Sequence, residues 1–131
     1  MSSFTKPLIV SKINNGSWKT YRRFTYYIDY VGGDSVTVPK GFVTDFASIP
    51  RMFWIILPPD GEYTQAAVLH DYLYFKQSRS RKEADQIFLD AMGVLEVPNW
   101  KRYPMYHAVR MFGWIPWRNH KKRNEKSNKV D

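Results

Sequence analysis

The stretch VLHDYLY, residues 68–74, sets a histidine and an aspartate side by side inside an otherwise apolar run. On a helix that advances about 100° per residue, His70 and Tyr74 stand one turn apart on one face. Leu69 and Leu73 flank that face on one side. Asp71 lies at its other edge, so both polar heads can reach one cleft. A second carboxylate comes from EADQIFLDAM, residues 83–92. There Ala84, Ile87, Phe88 and Ala91 follow the i, i+3, i+4, i+7 spacing of a buried stripe, which Leu89 and Met92 widen. Asp85 falls inside that widened stripe, where a carboxylate is costly unless something donates to it. A short connection at Gln77–Arg79 lays the two helices antiparallel. The ring N–H of His70 and the hydroxyl of Tyr74 then satisfy Asp85.

A histidine oriented by a buried carboxylate is the core of a general base that activates water. His70, Asp85 and Tyr74 are therefore the candidate catalytic residues. Asp71 is placed to hold a hard cation such as Ca²⁺, which takes oxygen ligands and would polarise a substrate carbonyl or phosphoryl oxygen. In TDFASIPR, residues 44–51, Asp45 is a candidate second cation ligand, and Ser48 and Arg51 are candidate substrate contacts. Each assignment has a plain structural counterpart. His70 and Asp85 can be a satisfied pair that fixes helix packing. Thr44 and Asp45 can build a turn on local backbone N–H groups, with Ser48 capping the segment around Pro50.

These residues need a frame, and the pattern predicts an α+β domain: a small antiparallel sheet in the N-terminal half packed against about three helices in the C-terminal half. PLIVSKI is a strand candidate. Trp18 to Val31 alternates loosely, with Trp18, Phe24, Tyr26, Ile28 and Tyr30 on one face. Gly32, Gly33 and Asp34 make a turn, and SVTVP returns as the second arm of a hairpin. Pro50 can open a short helix through RMFWII, which Pro58 and Pro59 close. Asp60 is a plausible N-cap for a helix from about Tyr63 to Lys76. Ser80 and Glu83 fit a capping box for a second helix, which runs to about Met92 and stops at Gly93. A third follows Pro98, from Asn99 to Trp114, with Pro104 kinking or delaying it. Residues 1–118 read as one domain and 119–131 as a basic, flexible tail.

At 131 residues, 44% hydrophobic and 17% aromatic, the chain can bury one modest core. With no cysteine, disulfides, thiolate metal sites and cysteine nucleophiles are excluded. No G-x-S-x-G or P-loop motif is present, and no histidine precedes His70 to complete an H…HD…D phosphohydrolase pattern. His70, His107 and His120 are too few and too scattered for a zinc site. The N-terminus shows no signal-peptide pattern, and the longest apolar patch, MFWIILPP at 52–59, is far too short to span a bilayer. The net charge of +8 sits at one end. Residues 1–100 hold 11 Lys/Arg against 10 Asp/Glu, and residues 101–131 hold 9 against 2. Such an end suits nucleic acid, an anionic lipid surface or an acidic partner, and equally a solvated tail. Aromatic patches around Trp54, Trp114 and Trp117 suit a core or a contact surface.

GFVTDFASIPR (41–51), VLHDYLY and EADQIFLDAM resemble an uncharacterised family of small bacteriophage-encoded proteins. Its members carry T-D-F-A-S-I-P-R, then H-D-x-L-Y, then A-D-x-x-F, in that order. The resemblance spans roughly residues 35–112 and implies phage or prophage origin, without an activity. A second resemblance concerns chemistry. His70-Asp71-x-x-Tyr74 followed by Asp85 on the next helix is similar to the catalytic helices of phospholipase A2. That likeness implies His70 as general base, Asp71 as Ca²⁺ ligand, and Tyr74 with Asp85 as its orienting groups. The pattern departs upstream, where those enzymes have a glycine-rich calcium loop and this chain has PPDGEY with the single Gly61. The expectation is a small phage hydrolase acting on an ester or envelope-derived substrate, in the host cytoplasm during infection. The alternative is a virion or assembly component that docks on other phage proteins, its basic tail against nucleic acid or lipid and its His-Asp-Tyr cluster structural.

Overall fold

The computed structural model describes residues 1–13, 17–44 and 64–130. The N-terminal half forms two three-stranded antiparallel sheets, and the C-terminal half four helices, an α+β architecture. One sheet orders β1 (Ser3–Phe4), β4 (Phe24–Tyr27) and β5 (Ser35–Val38) with β4 central. The other orders β2 (Val10–Ile13), β3 (Ser17–Thr20) and β6 (Val43–Thr44) with β3 central.

The expected hairpin is β4–β5, in the register Phe24↔Val38 and Tyr26↔Val36. Strand alternation sends Phe24, Tyr26, Val36 and Val38 inward to the core. The turn between them closes with Ile28 N–H on the Asp34 carbonyl at 2.8 Å. Gly32, at φ +89°, takes a left-handed conformation open to glycine without strain. The single strand expected from Trp18 to Val31 is instead two. Tyr21, Arg22 and Arg23 divide it, and the Arg22 guanidinium holds the Pro7 carbonyl at 2.9 Å across the break. Alternation alone could not reveal this, because β3 and β4 share a period while belonging to different sheets.

The helices are α1 (Thr64–Lys76), α2 (Arg81–Val94), α3 (Asn99–Phe112) and α4 (Trp114–Val130). Ser80 caps α2, its hydroxyl accepting the Glu83 N–H at 3.2 Å, while the Glu83 carboxylate meets that hydroxyl at 3.4 Å. Gly93 does not end that helix but lies within its last turn. Pro104 sits inside α3, six positions into the helix, without ending it. Where the sequence suggested a flexible tail from residue 119, α4 continues. Its Trp117 packs edge-on against Tyr74 at 5.1 Å, and Gln77 donates to the Trp117 carbonyl at 2.8 Å.

Helix α1 is the central element. Gln65 through Asp71 are buried without interruption, so this helix is enclosed rather than amphipathic. Enclosure obliges its polar side chains to find partners. Gln65 donates to the Lys6 carbonyl at 2.8 Å, and His70 and Asp71 reach in different directions. On the far side of the core, the Tyr26 hydroxyl donates to Asp90 and so fastens β4 to α2.

Candidate functional site

His70 and Tyr74 project from α1 toward α2, as the one-turn spacing requires, and Asp85 meets them there. Nε2 of His70 and the hydroxyl of Tyr74 both lie 2.7 Å from Oδ1 of Asp85. All three residues are fully buried. The imidazole lies between the Tyr74 ring at 4.3 Å and the Phe88 ring at 4.6 Å, which leaves it little rotational freedom. The opposite carboxylate oxygen, Oδ2, takes Arg110 from α3 at 2.8 Å and Arg81 at 3.4 Å. The other guanidinium bonds of Arg81 go to the carbonyls of Val109 and Arg110, at 3.1 and 3.2 Å. Three helices thus converge on one carboxylate.

Burial on its own would push the Asp85 carboxyl up. The bonds from His70, Tyr74 and Arg110 outweigh it and hold Asp85 below the usual carboxylate range. Asp85 is therefore ionised at neutral pH and accepts, so Nε2 of the imidazole is the donor in that bond. The Tyr74 phenol is pushed up by burial and by the negative charge of Asp85, so it stays a donor.

Asp71 turns away from this network. It is buried, its Oδ2 accepts the Thr44 hydroxyl from β6, and it lines a cleft of about 760 Å³. The cleft runs between the 39–44 segment, the second half of α1 and the α4 residues Pro116, Asn119, His120 and Arg123. His70 is not part of its lining. The two neighbours expected to share a cleft are thus parted by the 100° step between them. Among the described residues, no group of three or more His, Cys, Asp or Glu converges to hold a metal ion. Asp71 brings one carboxylate to the cleft. Asp45, Ser48, Arg51 and Gly61, together with the helix expected through RMFWII, lie outside the described residues.

Sequence reasoning missed Arg81 and Arg110. The first was readable, because it stands one turn before Asp85 on the same helix. Arg110 carried no local signal, since only the packing of α3 brings it near.

A family model, "Protein of unknown function (DUF1353)", matches residues 18–109, from β3 to near the end of α3. The chain belongs to the DUF1353 family. The matched span contains His70, Tyr74, Arg81 and Asp85 of the network and stops one residue short of its fifth member, Arg110. The chain is also similar to "Uncharacterized protein y4jT" of Sinorhizobium fredii (strain NBRC 101917 / NGR234). The two are 41% identical over 78 residues, which cover 58% of this chain and 23% of that protein. The DUF1353 chain thus spans less than a quarter of the length of this relative. No solved structure matches. No described helix is long and apolar enough to cross a membrane.

Proposed function

We propose that this DUF1353 domain is a small hydrolase of phage or prophage origin in which His70 is the general base. The observation that supports it is the double bond onto Oδ1 of Asp85, from His70 Nε2 and Tyr74 at 2.7 Å each. In this reading Nε2 of His70 donates to Asp85, which orients the ring and stabilises the imidazolium formed when the histidine takes a proton from water. A buried ion pair is a poor stabiliser, and well-packed hydrophobic residues of similar volume hold helices at least as well. A charged network therefore suits a site that uses it. The likeness of His70-Asp71-x-x-Tyr74…Asp85 to the phospholipase A2 helices assigns the same roles and points to an ester, including one derived from a cell envelope. Asp71 is the carboxylate a Ca²⁺ ion would use. The described residues supply too few ligands to build a step on that ion.

The test is hydrolysis of acyl esters of graded chain length and of phospholipid vesicles, with and without Ca²⁺. His70→Gln keeps a donor for Asp85 and should still fold, while losing at least about a hundredfold in rate. Activity in the wild type that persists in this variant sinks the general-base assignment.

Full burial of His70 favours a second reading. In it the network is a clamp for α1, α2 and α3, and the domain is a virion or assembly component. An inactive wild type, together with a His70→Gln variant that only melts earlier, would support that reading.

A further inference from the structure

The cleft beside Asp71 has a lining that the Asp85 network does not use. Phe42, Tyr72 and Phe75 form an aromatic wall, with the Phe42 ring 5.2 Å from Tyr72 and 5.7 Å from Phe75. Lys40, Lys76 and Arg123 are exposed around it and come from three separate elements: the turn after β5, the end of α1, and α4. Among the described residues, none of these three cations is in an ion pair. Asp71, in the same lining, is buried and accepts the Thr44 hydroxyl.

Three cations gathered at one mouth repel one another, and an anion with more than one charge relieves that repulsion. An aromatic wall beside them offers its faces to a flat ring. At about 760 Å³ the cleft is of ligand-binding size. Residues of α4 supply one side of it, so one C-terminal charge, the exposed Arg123, belongs to the cleft lining.

We propose that this cleft binds a small phosphorylated molecule bearing a flat ring, its phosphate held by Lys40, Lys76 and Arg123 and its ring against Phe42, Tyr72 and Phe75. The site does not depend on His70 acting as a base, and its test reads binding instead of turnover.

Calorimetric titration of the full chain with purine and pyrimidine nucleoside monophosphates should give saturable binding. Inorganic phosphate and the free nucleosides, which carry half of the recognised chemistry each, should bind at least tenfold more weakly. Lys76→Gln and Arg123→Gln should each weaken nucleotide binding about tenfold, the loss of one charge-assisted hydrogen bond. Arg118→Gln and Lys121→Gln change the net charge equally but lie outside the lining, and should leave binding unchanged. All four side chains are exposed, so folding is preserved. Equal weakening in all four variants would mean diffuse charge attraction and overturn the site. Phosphate binding as tightly as the nucleotides would remove the aromatic wall from it. Capture by phosphatidylglycerol vesicles, with no binding of any soluble phosphate, would overturn it in favour of a lipid surface.

Discussion

Arg110 donates to Oδ2 of Asp85 at 2.8 Å, on the side of the carboxylate opposite the oxygen that His70 and Tyr74 share. One carboxylate therefore joins α1, α2 and α3, and each of its oxygens is occupied by a donor from another helix. This is the relationship on which both the proposed chemistry and the packing of the helices depend.

Removing that carboxylate should be far more costly than losing one contact. Asp85→Ala leaves Arg110 partly buried without its counter-charge and the His70 donor without an acceptor. Breaking a buried pair in this way costs about 3–5 kcal/mol. Urea unfolding followed by far-ultraviolet circular dichroism measures it. A loss under about 1 kcal/mol would show that the network does not constrain the fold.

The pH dependence has two limbs of opposite origin. Asp85 is held below the usual carboxylate range because the bonds from His70, Tyr74 and Arg110 overcome the opposing effect of burial. The unfolded chain, with an aspartate near pH 3.9, then binds this proton more readily than the folded one. The stability from Asp85 is complete above the unfolded value and is lost as pH falls through the folded one. Tyr74 and Tyr26 behave in the opposite sense. Burial first, then the neighbouring carboxylates Asp85 and Asp90, push their phenols up. Their contribution is complete below about pH 10, the unfolded value, and declines as pH rises past it. Urea midpoints measured across that range should form a plateau with two falling limbs. Asp85→Asn should flatten the acid limb, and Tyr74→Phe should reduce the alkaline one.

Two glycines should respond in opposite directions to the same added methyl group. At Gly113, between α3 and α4, a Cβ would overlap the Val109 carbonyl oxygen and the Tyr74 hydroxyl. Backbone cannot yield there, and moving Tyr74 breaks its bond to Asp85. Gly113→Ala should cost about 1–3 kcal/mol. At Gly93 a Cβ would meet only the guanidinium of Arg102, 2.7 Å away at the end of a flexible side chain. Gly93→Ala, inside the last turn of α2, should be neutral or stabilise by up to about 1 kcal/mol. Thermal melts of the two variants compare them directly.

Helix α4 should behave as part of the domain. Trp117 covers Tyr74, His120 meets the Phe75 ring edge-on at 6.1 Å, and Asn124 donates to the Phe75 carbonyl at 3.2 Å. Trp117→Ala should lower stability by about 2 kcal/mol. Hydrogen exchange should find the amides of residues 117–124 protected with those of α1. Exchange at free-peptide rates would restore the flexible tail that the charge run suggested.

A property that rests on neighbours in the chain is legible in their order alone. The stripe Ala84, Ile87, Phe88, Ala91 fixed which face of α2 is buried and put Asp85 on it. The four-residue step from His70 to Tyr74 fixed their common direction, and Ser80 with Glu83 fixed where α2 begins. The alternation of Phe24 and Tyr26 with Val36 and Val38 fixed the inner face of the hairpin. These are local consequences of helical and strand periods.

Other properties depend on segments that meet only after the chain has folded. Nothing in the spacing of Trp18 to Val31 told that two sheets divide it. No local signal placed Arg110 on Asp85. The run after residue 118 reads as a flexible tail because its charge is visible in the sequence, whereas the contact of His120 with Phe75 on α1 is not. Asp71 and His70 are adjacent in the chain and were expected to share a cleft. With α1 enclosed on nearly all sides, the 100° between them is enough to send one to α2 and the other to β6. What waits in each direction is set by the packing of distant segments around α1.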